Sequence, residues 1–583
     1  MIAEVAQLRK TPCAALLGVW LAGCATLHAP PPAHTAPAAA DPTALTVMAE
    51  AALKRGDCRG ASESYARAAA VGDAQLARRA TQVAMACEHV PAAWEAASRW
   101  RALSPTDRQA NALYAAVALK LYRTAEARAA IRDFWRATEE QNAAPPAGGS
   151  SPPAANRAAE RAASSMSQLT AVLLEQSDAP AVLTAMSGVL EPTANSPATL
   201  TLLGELALAA YDGPRAQGYA QRALQQDPKD LAALRVLSRA YVMQGNAAAA
   251  VATAREAEAD DATRGGLDLA EILAALDRSE EAHQQLEQLR AGGGPQAEID
   301  RQLALLAFSS GDLKEAQQRF SELLETGEGN DTAALYLADI AARSGDRDAA
   351  IAAYRRLYDS SVALPARSRA AGLLLDKSAR TEALALLDDY AADHPEDELD
   401  LALAKARLLA DHGEADTGLT VLAAALERHP QHPAIEYDRA VILEQAGHVH
   451  ESVEALEHML AERPDDPTLL NALGYTLADH TLELPHAEAL IRRALAVMPD
   501  SPAALDSLGW VHFRAGDARG AASTLGRAYS LGHDAEIAAH WGEALWVSGE
   551  HSEARRVWAE ALAREPDSKP LKATLKRLLP DAP

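Results

Sequence analysis

Segments rich in Ala and Leu alternate along the chain with short breaks that carry Gly, Pro or polar residues. Ala and Leu are the strongest helix formers, and small Ala side chains let neighbouring helices approach closely. Pro and Gly stand mainly in the breaks, where helices end. This pattern predicts an all-α protein and argues against β-sandwiches and α/β barrels.

The breaks recur with a regular period. Eight glycines between two Ala/Leu-rich segments are separated by 32, 66, 34, 68, 34, 69 and 33 residues, each close to 34 or twice 34. They are Gly213, Gly245, Gly311, Gly345, Gly413, Gly447, Gly516 and Gly549. Where the register expects a turn without one of these glycines, the chain has Gly56 and the segments Glu88-His89, Tyr122-Arg123, Asp277-Arg278-Ser279, Ser378-Ala379-Arg380 and His480-Thr481. A 34-residue period with a central turn resembles the tetratricopeptide repeat, which folds as one helix–turn–helix unit.

This resemblance predicts an α-solenoid of about fifteen tetratricopeptide-like helix pairs that form a superhelix over residues 45–568. Residues 569–583 are expected to form a capping helix and tail. A low-complexity segment at 138–160, rich in Pro and Ala, is predicted to be a disordered linker. It separates N-terminal repeats at 45–137 from a main array at 161–568.

The first 44 residues are predicted to lie outside the repeats. Two basic residues precede an apolar stretch too short to span a bilayer, which ends in the sequence LAGC at Cys24. This ending resembles the bacterial lipobox, which implies a signal peptide at 1–23 and a lipidated Cys24; an ordinary signal peptide with a chance cysteine is the alternative. Residues 24–44 contain several prolines and are predicted to be an extended tether.

The residue after the cysteine is Ala25. In bacterial lipoproteins an Asp at this position retains the protein at the inner membrane. The resemblance therefore implies attachment to the outer membrane, with the protein facing the periplasm.

Two further cysteines are expected in that oxidising compartment, where a disulfide can persist. In the repeat register, Cys58 begins the second helix of the first pair and Cys87 ends the first helix of the next. These helices are antiparallel neighbours, so both residues lie at the same end of the stack. We predict a Cys58–Cys87 disulfide, with two buried free thiols as the alternative.

Charge and motifs restrict the function. Asp and Glu number 80 against 55 Lys and Arg, a formal net charge of −25 that disfavours nucleic acid. The sequence lacks the motifs of phosphate-binding loops, zinc proteases, serine hydrolases and dithiol enzymes. His429 and His432, and likewise His448 and His450, do not define one face and are interpreted as surface residues. We therefore expect no enzymatic activity, no metal and no cofactor.

The inner face of a tetratricopeptide array is lined by the first helix of each repeat. In the last repeats the inward-facing positions hold Asn471, Tyr475, Asp479, Asp506, Trp510, Phe513, Arg514, Glu543 and Trp546. Large aromatics beside mixed charges suit a peptide or protein partner, although some rings could instead be buried between repeats. The carboxylate clamp of the family is not supported, because Ser507, Glu536 and His540 follow Asn471 at the equivalent positions.

The segments NALGY at 471–475 and LDSLGW at 505–510, together with the lipobox and the repeat number, resemble a group of proteobacterial tetratricopeptide lipoproteins. Members of this group partner a periplasmic carboxyl-terminal processing protease. The resemblance implies an adaptor that activates such a protease and delivers substrates to it, including peptidoglycan cross-link hydrolases. An assembly factor for an exported polysaccharide or a pilus, and a hydrolase hidden in the array, are the alternatives.

Overall fold

A computed structural model describes residues 41–143, 154–192, 196–326, 330–394 and 397–579. Within these ranges the chain forms 31 α-helices and no strand, and all the helices belong to one compact unit that begins at Pro42. Fifteen consecutive pairs of helices are followed by one unpaired helix, so the predicted α-solenoid of about fifteen pairs is confirmed.

The bounds of the helices follow in chain order. The N-terminal helices are α1 Pro42–Leu53, α2 Cys58–Val71, α3 Ala74–Ala86, α4 Val90–Leu103, α5 Arg108–Lys120, α6 Thr124–Ala143, α7 Ala154–Leu174, α8 Ala179–Leu190, α9 Pro197–Ala209 and α10 Gly213–Gln226. The central helices are α11 Leu231–Met243, α12 Ala247–Asp260, α13 Arg264–Ala275, α14 Ser279–Ala291, α15 Gln296–Ser310, α16 Leu313–Thr326, α17 Asn330–Arg343, α18 Arg347–Arg355, α19 Ala363–Asp376 and α20 Arg380–Asp393. The C-terminal helices are α21 Glu398–Asp411, α22 Ala415–Arg428, α23 Pro433–Gln445, α24 Val449–Glu462, α25 Pro467–Asp479, α26 Leu484–Val497, α27 Pro502–Arg514, α28 Ala518–Gly532, α29 Ala535–Ser548, α30 His551–Arg564 and α31 Lys569–Leu578.

Small residues let the two helices of a pair pack closely. A Cβ atom added at Gly509 in α27 would lie 2.5 Å from Leu525 Cγ in α28, so only glycine fits this contact. One alanine on the second helix of each of five repeats is fully buried, as the register predicts: Ala316, Ala350, Ala487, Ala521 and Ala554. The period of the sequence therefore corresponds to a repeated close contact between helices.

The predicted turns adopt the left-handed backbone conformation that glycine favours. Gly56 and seven of the eight periodic glycines have positive φ, and so do Glu88, Tyr122, Asp277, Ser378 and Thr481. The assignment of Gly213 is wrong. It is the first residue of α10, and Tyr211 takes the left-handed position with φ 54°. A non-glycine residue in this conformation costs roughly 1–2 kcal/mol.

Four of these non-glycine turns contact residues far along the chain. The first is at Glu88, whose carboxylate lies 3.4 Å from His432 Nε2. The guanidinium of Arg463 lies 4.3 Å from the ring centroid of Tyr122, Asp500 N donates to Tyr211 O at 3.0 Å, and His533 Nε2 lies 2.6 Å from Asp277 Oδ2. The array thus returns on itself, and the N-terminal turns pack against C-terminal repeats.

Histidines are buried at the first of these junctions. His432 is 5% exposed and His429 is 6% exposed, so their interpretation as surface residues is wrong, whereas His448 and His450 are exposed. Burial lowers the pKa of His432, with the Glu88 carboxylate opposing this effect and Lys120 adding to it. The two rings are buried because distant parts of the chain meet at this junction. The 34-residue period of the sequence does not reveal that contact.

The boundaries differ from the prediction at two places. Helix α1 begins at Pro42, inside the predicted tether, because proline suits the first turn of a helix and Leu45 is buried beneath it. In the predicted linker, α6 continues to Ala143 and α7 begins at Ala154, so disorder does not hold for 138–143 and 154–160. Ala and Glu favour helix there, and both helices pack against neighbours. Residues 144–153 lie outside the described ranges.

The ends of the array have distinct features. The structure joins Cys58 to Cys87 by a disulfide between Cα atoms 5.3 Å apart. At the other end, α31 packs on α29 and buries Leu571.

Within the described part of the chain no helix has the length and apolarity needed to cross a bilayer. The predicted signal peptide, Cys24 and Ala25 lie outside the described residues.

Candidate protein-binding surface

The predicted binding residues lie on three first helices, α25, α27 and α29, which contact one another in sequence. Residues about 34 positions apart occupy equivalent places on successive first helices, so the repeat itself aligns their side chains. We use the name α25–α29 cluster for the contacting set Asn471, Tyr475, Asp479, Asp506, Trp510, Phe513, Arg514, Glu536 and His540. Seven of these nine residues were predicted as binding residues. The structure adds Glu536 and His540, which were not predicted to bind a partner.

Trp510 lies at the centre of the cluster. Its Nε1 donates to Asp479 Oδ1 at 2.9 Å, and its ring stacks on His540 and Phe513 with centroid distances of 4.1 and 5.0 Å. The residue is only 7% exposed. The ring fills the space between α27 and α29 and holds polar neighbours in place, as in the alternative of a ring buried between repeats. Its contact with a partner stays a prediction.

A buried acid–base pair lies beside this ring. His540 Nδ1 is 3.0 Å from Asp506 Oδ1 and 3.1 Å from Oδ2, and both residues are buried. Burial disfavours the charged imidazole, but the negative charge and hydrogen bond of Asp506 outweigh it and raise the pKa of His540. Asp506 is therefore engaged within the cluster and is not a free carboxylate awaiting a partner.

The other predicted residues have diverse surroundings. Arg514 lies 3.3 Å from Asp479 Oδ1, which ties the ends of α25 and α27 together. Glu543 is buried and accepts from both terminal nitrogens of Arg577 in α31, so it holds the capping helix. Trp546 stacks on His551 at 4.2 Å, within its own helix pair. Glu543 and Trp546 are thus not part of the cluster, and their role in binding a partner stays a prediction.

A cavity of about 430 Å³ opens at the edge of the cluster. Its walls include Asn471, Tyr475, Asp506, Asp534 and Glu536. Tyr211, from the turn between α9 and α10, also lines the cavity. Tyr475 donates its hydroxyl to Glu536 Oε1 at 3.1 Å, and burial together with nearby carboxylates raises the pKa of Tyr475. The cavity is polar, aromatic and rich in carboxylates.

Three potential metal ligands meet at the other end of α25. Ligand atoms of Glu444, Asp479 and His480 lie within 4.8 Å of one another. Asp479 already accepts hydrogen bonds from Trp510 and Arg514, and His480 Nε2 lies 2.7 Å from Glu444 Oε1. The three side chains are thus explained by contacts between helix ends.

Comparison with known proteins identifies the repeat. A family model described as the tetratricopeptide repeat matches residues 201–264, 301–366 and 403–478. These segments are tetratricopeptide repeats. Over 213 residues the chain is 32% identical to a TPR repeat-containing protein of Pseudomonas aeruginosa. The match covers 36% of this chain and 36% of that protein, so the chain spans about a third of the length of this curated relative.

Solved tetratricopeptide structures are also similar to parts of the array. A thermophilic TPR protein from Thermus thermophilus is 24% identical, with a TM-score of 0.29, and the match covers 31% of this chain and 98% of that one. A tetratricopeptide repeat protein from Parabacteroides merdae is 16% identical, with a TM-score of 0.31, and the match covers 43% of this chain and 98% of that one.

The tetratricopeptide register explains which cavity residues were predictable. Asn471, Tyr475 and Asp506 were predicted because they fall at the positions that face inward in the tetratricopeptide family. Asp534 and Glu536 lie at the start of α29 and were missed as binding residues. Tyr211 is 264 residues before Tyr475, so spacing within neighbouring repeats could not reveal it. The available signal was the 32-residue interval between Gly213 and Gly245, because a strict 34-residue period places the turn at Tyr211.

Proposed function

We propose that this protein is a lipid-anchored periplasmic scaffold that binds protein partners through the α25–α29 cluster and the adjoining cavity. In its specific form the proposal is an adaptor that recruits a processing protease and its cell-envelope substrates. Tetratricopeptide repeats generally mediate protein–protein interaction, which supports the coarser role. The anchoring and the outer-membrane location rest on the lipobox-like sequence at Cys24.

One observation carries the binding role. The cluster is held rigid by its own hydrogen bonds and stacked rings, while Tyr475, Glu536 and Asp534 remain partly or largely accessible beside the cavity. Rigid, partly desolvated polar and aromatic groups bind with little loss of conformational entropy. In this proposal the surface recruits protein partners and does not catalyse a reaction.

The test is co-isolation of the detergent-solubilised full-length lipoprotein with its envelope partners. Glu536→Gln removes a cavity charge, and Glu457→Gln removes a matched exposed charge from the second helix α24. The adaptor role predicts that a processing protease co-purifies with the native protein and with Glu457→Gln, and that Glu536→Gln retains much less of it.

Other outcomes discriminate between the functions. Synthase or secretin subunits in place of a protease would favour the alternative of an assembly factor for a polysaccharide or a pilus. Equal retention of the protease by both variants would reject the α25–α29 cluster as its binding surface. A hydrolytic activity of the purified protein that disappears with one substitution would favour the hidden hydrolase.

A further inference from the structure

The cavity beside the α25–α29 cluster has an unbalanced charge. Asp506, Asp534 and Glu536 line it, and among its described lining residues there is no Lys or Arg. His540 pairs with Asp506. Asp534 accepts hydrogen bonds from the first N–H groups of α29 and Glu536 accepts one from Tyr475, but no cationic side chain balances either of these two carboxylates at the cavity. Since uncompensated charges in a partly enclosed site are unfavourable, the cavity is prepared for a cation.

Two titratable groups beside the cavity, Tyr475 and His540, have pKa values shifted by the same negative charges. The pKa of Tyr475 is raised by burial and by the carboxylates of Glu536, Asp479 and Asp506. Asp506, Glu536 and Asp479 also act together, against burial, to raise the pKa of His540. These shifts agree with the geometric count of charges.

Aromatic faces supply the second element of cation recognition. Tyr475 and Tyr211 both line the cavity, and Tyr211 is 43% exposed, so its ring is available. A Lys or Arg head group gains by lying over an aromatic ring while its N–H groups donate to carboxylates. The buried Oδ1 of Asn471 accepts no hydrogen bond from the described residues and adds an acceptor.

The turn that supplies Tyr211 is conformationally costly. Tyr211 has φ 54°, at a turn position that holds glycine in most of the repeats. Its backbone is tied across the junction, because Asp500 N donates to Tyr211 O at 3.0 Å and Asp500 Oδ2 accepts from Gly213 N at 3.0 Å. A strained, bulky residue held at a cavity wall points to a role that glycine could not perform.

We propose that this cavity binds the guanidinium or ammonium group of a basic side chain on a protein partner. The inference deepens the proposed scaffold function and rests on it. The cavity would prefer basic side chains, whereas the carboxylate clamp of the family binds acidic tails. The reason is that carboxylates line this cavity and repel an acidic tail. The binding site is assembled from two distant parts of the chain.

The probe is a short acetylated and amidated peptide with a single Arg flanked by Gly and Ala. Its partner peptide carries citrulline, which keeps the shape and removes the charge. We expect the native full chain to bind the Arg peptide at least tenfold more tightly at low salt, with the preference shrinking as salt increases. Titration calorimetry or anisotropy of a labelled peptide measures the ratio.

Variants separate this site from the general acidity of the surface. Asp534→Asn with Glu536→Gln removes two cavity charges, and Asn still caps α29. Glu454→Gln with Glu457→Gln removes the same charge from the exposed face of α24. The preference for Arg should fall at least fivefold in the first pair and persist in the second. Equal preference in both pairs, or no preference in the native chain, would overturn the proposal.

Tyr211→Gly tests the aromatic wall without straining the turn. The melting temperature should be maintained or raised, because glycine suits this backbone conformation, while Arg binding weakens. Ser378→Gly makes the same change at a turn outside the cavity and should leave peptide binding unaltered. Unchanged binding by Tyr211→Gly would also overturn the proposal. A protease that fails to co-purify while the native chain still prefers Arg would reject the adaptor role and leave this site standing.

Discussion

Replacing Trp510 by Ala should destabilise the last repeats. The ring is 7% exposed, stacks on two neighbouring rings and donates to Asp479. A Trp side chain buries about 150–250 Å², which at about 25 cal/mol per Å² gives an upper limit of about 4–6 kcal/mol. Because Asp479 keeps its contact with Arg514, we expect about 3–5 kcal/mol, the usual range for such truncations in a core.

The effect should be local. A repeat array is stabilised mainly by contacts between neighbouring repeats, so one weakened interface opens near itself before the whole chain unfolds. Hydrogen exchange followed by mass spectrometry should show faster exchange in α25, α27 and α29 and little change in α2. Trp510→Phe retains stacking and should cost about 1–2 kcal/mol.

A matched exposed position makes the result interpretable. Val547 lies in α29 and is 59% exposed, so Val547→Ala should leave exchange almost unchanged. If Trp510→Ala exchanges like the native protein but loses its partner, the ring is a contact residue after all, and the assignment of Trp510 to the interior would be refuted.

Three further predictions concern the cysteines and pH. Alkylation without reductant should label neither Cys58 nor Cys87, and reduction should lower stability by about 3 kcal/mol for a loop of this length; two labelled thiols would contradict the disulfide. Cys24→Ala should leave the helical circular dichroism unchanged and release the protein from membranes, and retention there would refute the lipid anchor. Burial lowers the pKa of His432, so as pH falls below the ordinary value of 6.5 the unfolded chain binds the proton first and the folded state loses stability. His432→Gln should therefore reduce the drop in melting temperature between about pH 7.5 and about pH 5.5; an identical drop would place the acid-sensitive groups elsewhere.

Local and periodic features could be predicted because they depend on neighbours in the chain. A turn every 34 residues and a small residue where two helices cross are properties of one repeat and its partner. Ser378 and Thr481 illustrate this, since both take the left-handed turn that the register assigns to them. The aligned positions Tyr475 and Asp506 were predicted by placing the inward-facing positions of the tetratricopeptide family on this register.

Two errors arose where a local pattern was given too much weight. The proline-rich composition of 138–160 suggested disorder, yet α6 continues to Ala143 and α7 begins at Ala154. Gly213 was taken as the turn because it is a glycine, whereas Tyr211 adopts that conformation and Gly213 donates its N–H to Asp500.

The amino-acid sequence by itself determined the helical repeat, its period, and the set of side chains along each first helix, since all of these follow from contacts within about one repeat. Only the tertiary structure decided which of those side chains are buried and which residue meets which across the returning array. Each junction is small, and its register depends on slight rotations accumulated over many repeats. That accumulated geometry brings Tyr211 to Tyr475 and buries His432 against Glu88.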